Sequence, residues 1–316
     1  MSDKRNDIVD IAKGIGIFLM VIGHTGIPLP LRIWIYSFHM PLFFFIGGFF
    51  YKRDKYGIGS FVKARCKTLV IPYFIFLVIT FLWFRFFDLG LVYCPPLLDL
   101  LLNGTQWAIW FIPVLFITEL LIVVFNNIAR KISANFVFYI MVIICIVMSY
   151  MAYLFNIHLP YKVEVCGMAM VYYWIGYFMK CMAPDFINKK IGIFIVIHIL
   201  ACLVFHPSTE MSFNNWDMGI LNIVIALMGI LGIFFLSKNI SKLEKISMLV
   251  ISLGEYSLVV LGLSQPYYQT VNKLFKVVAF SSSCSFIIRQ MILWLALIGS
   301  ILIIKKYAPW IIGKRT

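Results

Sequence analysis

Runs of about twenty apolar residues follow one another from near the start of the chain almost to its end, each interrupted by a short polar or basic loop. A helix of roughly 20 residues crosses the hydrocarbon layer of a bilayer. Backbone in hydrocarbon must satisfy its own hydrogen bonds, so helices are the form such runs take. Composition agrees: of 316 residues, 62% are hydrophobic and 13% charged, against about 45–50% and about 25% in soluble domains. A water-soluble globule of this length has too little interior for that apolar load. Disordered, collagen-like and disulfide-scaffold classes are excluded by the same figures. The expected architecture is an all-α polytopic membrane protein forming a single domain over 1–316.

The apolar runs place spans at about 8–27, 33–51, 68–87, 107–126, 135–155, 166–182, 191–206, 218–236, 248–270 and 284–304, hence about ten transmembrane helices. The first run follows basic residues as a signal peptide would. No small-residue cleavage pattern comes after it, so it is read as a retained span. Of the 27 Lys and Arg residues, 21 fall in one set of alternate loops and ends. The other six are Arg32, Arg85, Lys162, Lys273, Lys276 and Arg289. Cytoplasmic loops carry the excess of cations, so both termini are expected in the cytoplasm and the protein in the inner (plasma) membrane. That alternation also argues against a nucleic-acid partner. The seven cysteines show no CxxC spacing and read as small apolar residues. With no zinc spacing, no Gly-rich phosphate loop and no nucleophile elbow, no metal is expected.

Ionisable groups inside spans are costly and face protein or a wet cavity. Here they include Asp10, Lys13, His24, His39, Arg85, Glu119, His198, Glu255 and Arg289. Lys13 and His24 are eleven positions apart, which returns to the same helix face within about 20° and separates them by about 16 Å along the axis. One face thus carries a cation at the inner end and an imidazole far above it. Asp10 is placed to pair with Lys13. An imidazole titrates near neutrality and suits proton transfer, although His24 could equally hydrogen-bond a neighbouring helix. His39 lies at a similar depth and could be a second catalytic or substrate-binding histidine, although a packing role is the simpler account. Six cations between Lys52 and Lys67 could hold phosphates or simply mark the cytoplasmic side. Trp107 and Trp110 sit at a span edge, where tryptophans commonly anchor. Glu119, at mid-bilayer depth, needs a partner or a proton, with Arg85 and Arg289 as candidates. Ser264 reaches the depth of His24, and packing or helix capping is the simpler account of it.

Taken in order, these segments resemble the integral-membrane acyltransferase-three superfamily, particularly its fucose 4-O-acetylase-like branch. Asp10-Ile11-Ala12-Lys13-Gly14-Ile15 followed by Val21-Ile22-Gly23-His24 resembles the first-span signature, in which a basic residue precedes the catalytic His by ten intervening positions. Phe38-His39-Met40-Pro41-Leu42-Phe43-Phe44 resembles the second-span motif, and Lys63–Tyr73 the basic stretch leading into span three. Trp110–Phe116 and Gly254-Glu255-Tyr256-Ser257-Leu258 complete the order, and the resemblance covers about residues 5–300. It implies an acyl-CoA-dependent O-acyltransferase whose donor, acetyl-CoA above all, enters from the cytoplasm and whose acceptor is a hydroxyl of a sugar or cell-surface glycan. In that reading His24 is the general base. Lys13, Arg65 and Lys67 meet the phosphates of CoA, and Asp10 holds Lys13. His39 and Glu119 bind or orient substrate, and Trp110 and Ser264 lie on the acceptor side. Thr68 stands where many members carry a second Arg, leaving the donor contact to Arg65 and Lys67. Ser264 stands where many carry His, which implies a different acceptor or acceptor geometry.

Two other classes fit parts of the pattern. In a secondary transporter of a small polar solute, the buried charges would line the path; the chain shows no inverted repeat. A membrane scaffold or biosynthetic-complex subunit leaves His24, His39 and Glu119 at depth without a role; a homo-oligomer is also compatible with the sequence.

Overall fold

A computed structural model describes residues 2–52, 57–87, 94–105, 107–182, 192–207, 210–277 and 282–313. The described residues form α-helices with short 3₁₀ and π segments and no strand. The helices are α1 (Ser2–Gly23), α2 (Leu29–Tyr36), α3 (His39–Phe50), α4 (Ile58–Arg65), α5 (Ile71–Phe86), α6 (Leu97–Asn103) and α7 (Phe111–Lys131). They continue with α8 (Asn135–Leu154), α9 (Cys166–Met182), α10 (Ile193–Phe205), α11 (Ile220–Ile240), α12 (Glu244–Glu255), α13 (Ser257–Val277) and α14 (Ser282–Tyr307). Among the described residues, six helical stretches are long and apolar enough to cross a bilayer, or seven if α12 with α13 makes one broken span. Charges in its first half keep α1 from that set, and α9 and α10, at 17 and 13 residues, are short. The chain is an all-α polytopic protein. Its outer helix faces stay apolar, as with Ile143, Ile144 and Met148 on α8 and Met291, Leu295 and Leu302 on α14, because lipid is their solvent.

Three expected spans differ from single straight helices. The second is broken between α2 and α3 at Ser37 and Phe38. Pro41 lacks an N–H and its ring collides with the carbonyl four residues back, which belongs to Ser37, so the helix restarts there. The third expected span is a longer helical run whose Cys66–Val70 turn is π-helical. Pro72, two residues into α5, forbids a regular α turn over Thr68 for the same reason. The expected ninth span is interrupted at Tyr256, just after the glycine-bearing last turn of α12.

The chain packs as two units, Met1–Val62 with Val114–Glu255, and Lys63–Pro113 with Tyr256–Thr316. In the first unit α1 packs against α3, α11 and α12. The core between them is built from Val9 and Ala12, from Phe38, Leu42, Phe45 and Phe49, and from Ile230 and Phe234. A second cluster joins Ile122 and Phe125 of α7, Phe138 of α8, and Met170 and Tyr173 of α9. Close approaches are made at glycines: a Cβ on Gly14 would overlap the Val250 carbonyl, and one on Gly254 the Asp10 carbonyl. α12 therefore lies directly against the backbone of α1 beside Lys13. In the same way a Cβ on Gly48 would overlap the Tyr173 carbonyl, and one on Gly176 the Phe45 carbonyl, locking α3 to α9.

The second unit packs α5 against α13, and α13 against α14. Pro266 inside α13 leaves the Gly262 carbonyl without its helical donor, and the Thr80 hydroxyl donates to that oxygen at 3.4 Å. Trp83 Nε1 donates to Thr270 Oγ1 at 2.8 Å, and Tyr267 and Ser300 share a 2.8 Å hydrogen bond.

Candidate active site

α1 ends at Gly23, and the His24 amide still bonds back to the Met20 and Val21 carbonyls. The His24 ring therefore leaves from the closing turn, and the helical spacing to Lys13 holds. The ring is exposed, with Nδ1 2.9 Å from the Tyr36 hydroxyl and ring centroids 5.5 Å apart in an edge-on contact. That contact engages Nδ1 and not Nε2. The surroundings are polar. The Arg32 guanidinium lies 5.1 Å over the Tyr36 ring and pairs with Glu210 at 3.4 Å.

The break between α2 and α3 builds the rest of this cluster. Ile35 would normally accept from the amide four residues on, but here its carbonyl takes a 3.4 Å bond from the Phe38 amide and a 2.9 Å bond from His39 Nδ1. A carbonyl only accepts, so in the neutral His39 ring Nδ1 carries the hydrogen and Nε2 the lone pair. His39 is 3% exposed, and its ring meets Tyr36 edge-on at 4.9 Å. Tyr36 thus touches both imidazoles. Sequence reasoning missed it, because a tyrosine in an apolar run carries no depth penalty that would single it out.

At the other end of α1, Lys13 Nζ donates to Asp10 Oδ1 at 2.9 Å and lies 5.3 Å over the Phe50 ring. Both members of the pair are about a quarter exposed, so the cation keeps access to solvent or to an anion.

A second histidine cluster looks catalytic in composition and is not built for it. His198 Nε2 is 2.8 Å from Ser37 Oγ and 3.5 Å from Cys202 Sγ. Ser37 is fully buried and its hydroxyl donates to the Trp34 carbonyl at 2.8 Å. The serine oxygen therefore accepts from the histidine. Phe38 and Trp34 close over the ring at 5.3 and 6.1 Å. This arrangement ties α10 to the α2–α3 break.

The remaining sequence candidates divide between the two units. Glu119 is 2% exposed within α7, in the first unit. Arg65 and Lys67 flank the start of the π turn in the second unit; Lys67 is exposed and Arg65 partly so. There the C-terminal turn Pro309–Ile312 comes so near that a Cβ on Gly313 would meet the Lys67 carbonyl oxygen at 2.8 Å. Arg53 and Lys55, counted in the same basic patch, lie outside the described residues. Trp110 is buried in the Ala108–Trp110 turn and Ser264 in α13, where the neighbouring Gln265 accepts from the Ala108 amide at 2.9 Å. Ser264 itself donates to the Leu261 carbonyl at 3.4 Å, a helix-internal bond. Of the cations considered for Glu119, Arg289 is held by Asn272 Oδ1 at 3.2 Å and the Ser285 carbonyl at 3.1 Å, while Arg85 lies 5.8 Å over Phe81.

No curated protein and no solved structure gives a significant match to this chain. The acyltransferase domain of family 3 matches it over residues 6–305. That match takes in the Lys13–His24 helix, the α2–α3 break and the glycine contact between α1 and α12, and the chain belongs to acyltransferase family 3, a membrane acyltransferase.

Proposed function

We propose that this acyltransferase takes an acyl group, acetyl in the first instance, from acyl-CoA on the cytoplasmic side and transfers it to a hydroxyl of a sugar or cell-surface glycan, with His24 as general base. The observation that carries the reading is the Tyr36 hydroxyl 2.9 Å from His24 Nδ1, on a helix whose same face bears Lys13 about 16 Å below. When Nδ1 donates to Tyr36, Nε2 holds the lone pair and faces substrate.

In the reaction Nε2 takes the proton of the acceptor hydroxyl while its oxygen attacks the thioester carbonyl. The C–S bond then breaks, and the CoA thiolate leaves with that proton. Such general base assistance is worth typically 10²–10⁴-fold. His39, packed on Tyr36, orients the acceptor. Lys13 is the cation proposed for the CoA phosphates in the first unit. Arg65 and Lys67 are the further phosphate contacts that the motif resemblance implies, as Glu119, Trp110 and Ser264 are for substrate. The distribution of cations among alternate loops supports cytoplasmic termini and a plasma-membrane location.

The test is the full chain in proteoliposomes with radiolabelled acetyl-CoA and a panel of methyl hexopyranosides. Label should move to glycoside with the parent and not with His24→Ala at equal folded protein. Transfer by the His24→Ala variant at the parent rate would falsify the assignment.

A further inference from the structure

We propose that Asn222 is the hydrogen-bonding head of an acceptor subsite that takes one hydroxyl-bearing arm of a neutral pyranose, a deepening that rests on the sugar-acylating reading above. Asn222 is the third residue of α11 and is 5% exposed, yet neither its amide nitrogen nor its amide oxygen has a hydrogen-bond partner among the described residues. The large majority of buried side-chain polar atoms are paired, and leaving one unpaired is costly. A carboxamide so placed can bond a polar group that reaches the cavity it faces.

It lines a cavity of about 20 Å³ together with Pro41, Met168, Tyr172, Asn215 and Trp216. That is room for about one water-sized group, so one hydroxyl or hydroxymethyl arm fits and a whole ring does not. The aromatic wall is fixed in advance. Trp216 Nε1 donates to Asn214 Oδ1 at 3.1 Å, and Asn214 is tied to Ser149 by two bonds of 2.8 Å. A wall ordered beforehand costs the ligand little ordering entropy.

The chemistry selects the occupant. A carboxamide offers a donor and an acceptor side by side, which a single hydroxyl, itself donor and acceptor, can answer at once. The partly exposed Trp216 indole suits the apolar face of a pyranose ring that stays outside the cavity, while Tyr172 is buried in its wall. Asn215 Nδ2 is already engaged by the Asp217 carboxylate at 2.9 Å, and that negative charge beside the cavity favours a neutral sugar over an acidic one. Pro41 is two residues from His39, whose ring packs on the Tyr36 that holds His24. The subsite therefore belongs to the same unit as the proposed base.

The rival occupant is a water molecule that merely completes the fold, and the two make opposite forecasts. The full chain in nanodiscs is examined by saturation-transfer NMR with methyl β-glucopyranoside, methyl β-galactopyranoside and methyl α-fucopyranoside, without acyl-CoA. At least one glycoside should bind the parent, and its affinity should fall about tenfold or more in both Asn222→Leu and Trp216→Ala. Asn222→Leu should melt no lower than the parent, because it removes an unpaired amide. Binding at parental affinity by Asn222→Leu, with a lowered melting temperature, means a structural water and overturns the subsite. Absence of binding by the parent for all three glycosides overturns it as well. Asn222-dependent binding without any transfer from acetyl-CoA would leave the subsite standing and sink the catalytic reading. Transfer with an unchanged glycoside KM in Asn222→Leu would do the reverse.

Discussion

The hydroxyl of Tyr36 stands 2.9 Å from Nδ1 of His24, although Tyr36 ends α2 and His24 follows the last residue of α1. The contact exists because the second expected span breaks at Ser37 and Phe38, so that α2 ends on Tyr36 against the closing turn of α1. A bond to one imidazole nitrogen decides what the other can do, which makes Tyr36 the residue that orients the proposed base.

Tyr36→Phe should lower kcat about tenfold to a hundredfold with little change in KM for acyl-CoA, the loss expected from one hydrogen bond of about 1–3 kcal/mol. His24→Ala should cost about 10²–10⁴-fold. Steady-state kinetics at equal folded protein separates the two. An unchanged kcat in Tyr36→Phe would show that the tyrosine only packs.

Lys13→Met should raise KM for acyl-CoA about tenfold to a hundredfold, since a charge-assisted hydrogen bond is worth about 1.5–3 kcal/mol, whereas Lys13→Arg should keep most of the affinity. Isothermal titration with CoA reads this directly. Equal affinity in parent and Lys13→Met would remove Lys13 from the donor site.

Substituting Gly254 with Leu should destabilise the fold by about 1–3 kcal/mol through overpacking, because the new side chain would meet the Asp10 carbonyl. The damage falls next to Lys13, so donor affinity should drop with stability. Melting in nanodiscs and CoA titration report the two effects together.

Ser37→Ala removes the oxygen that His198 Nε2 contacts at 2.8 Å. It should cost about 1–3 kcal/mol for a buried donor left unpaired. Acyl transfer per folded molecule should stay at the parent level, since Ser37 is fully buried. Loss of transfer in a folded Ser37→Ala variant would point instead to a covalent acyl-serine intermediate.

Lys162, in the Pro160–Val165 turn outside the spans, donates to the Ser212 carbonyl at 2.8 Å. Burial holds its ammonium below the ordinary lysine value of 10.5, with Glu164 and Glu210 partly offsetting the effect. Between the lowered folded pKa and the unfolded one, the unfolded chain binds the extra proton, so stability rises with pH across that window. The melting temperature of the parent should therefore climb relative to Lys162→Met as pH is raised from neutral toward about 10. Parallel curves would place the amine in solvent.

The helical, polytopic character was legible because apolar run length reports directly on bilayer thickness. The α1 axis was legible too, since the Lys13–His24 register depends only on 3.6 residues per turn. The breaks were only partly so. Pro41 and Pro72 announce disturbed turns, but whether a chain answers a proline with a break, as at Ser37, or with a π turn, as at Cys66–Val70, depends on what packs against it. His198 was visible as an imidazole at depth, and its sealed serine partner was not, because Ser37 lies 161 positions away in the chain. Asn222 gave no signal, since an asparagine near a span end is ordinary until its neighbours are known.

By itself the sequence determined what each helix must solve: length against hydrocarbon, charge toward water, a cation and an imidazole on one face of α1. Tertiary packing decided which side chains answer those needs, placing Tyr36 on His24, closing Ser37 over His198 and leaving the Asn222 amide open to a cavity. The reason is that helical register is a property of consecutive residues, while hydrogen-bond satisfaction in a low-dielectric interior depends on groups far apart in the chain.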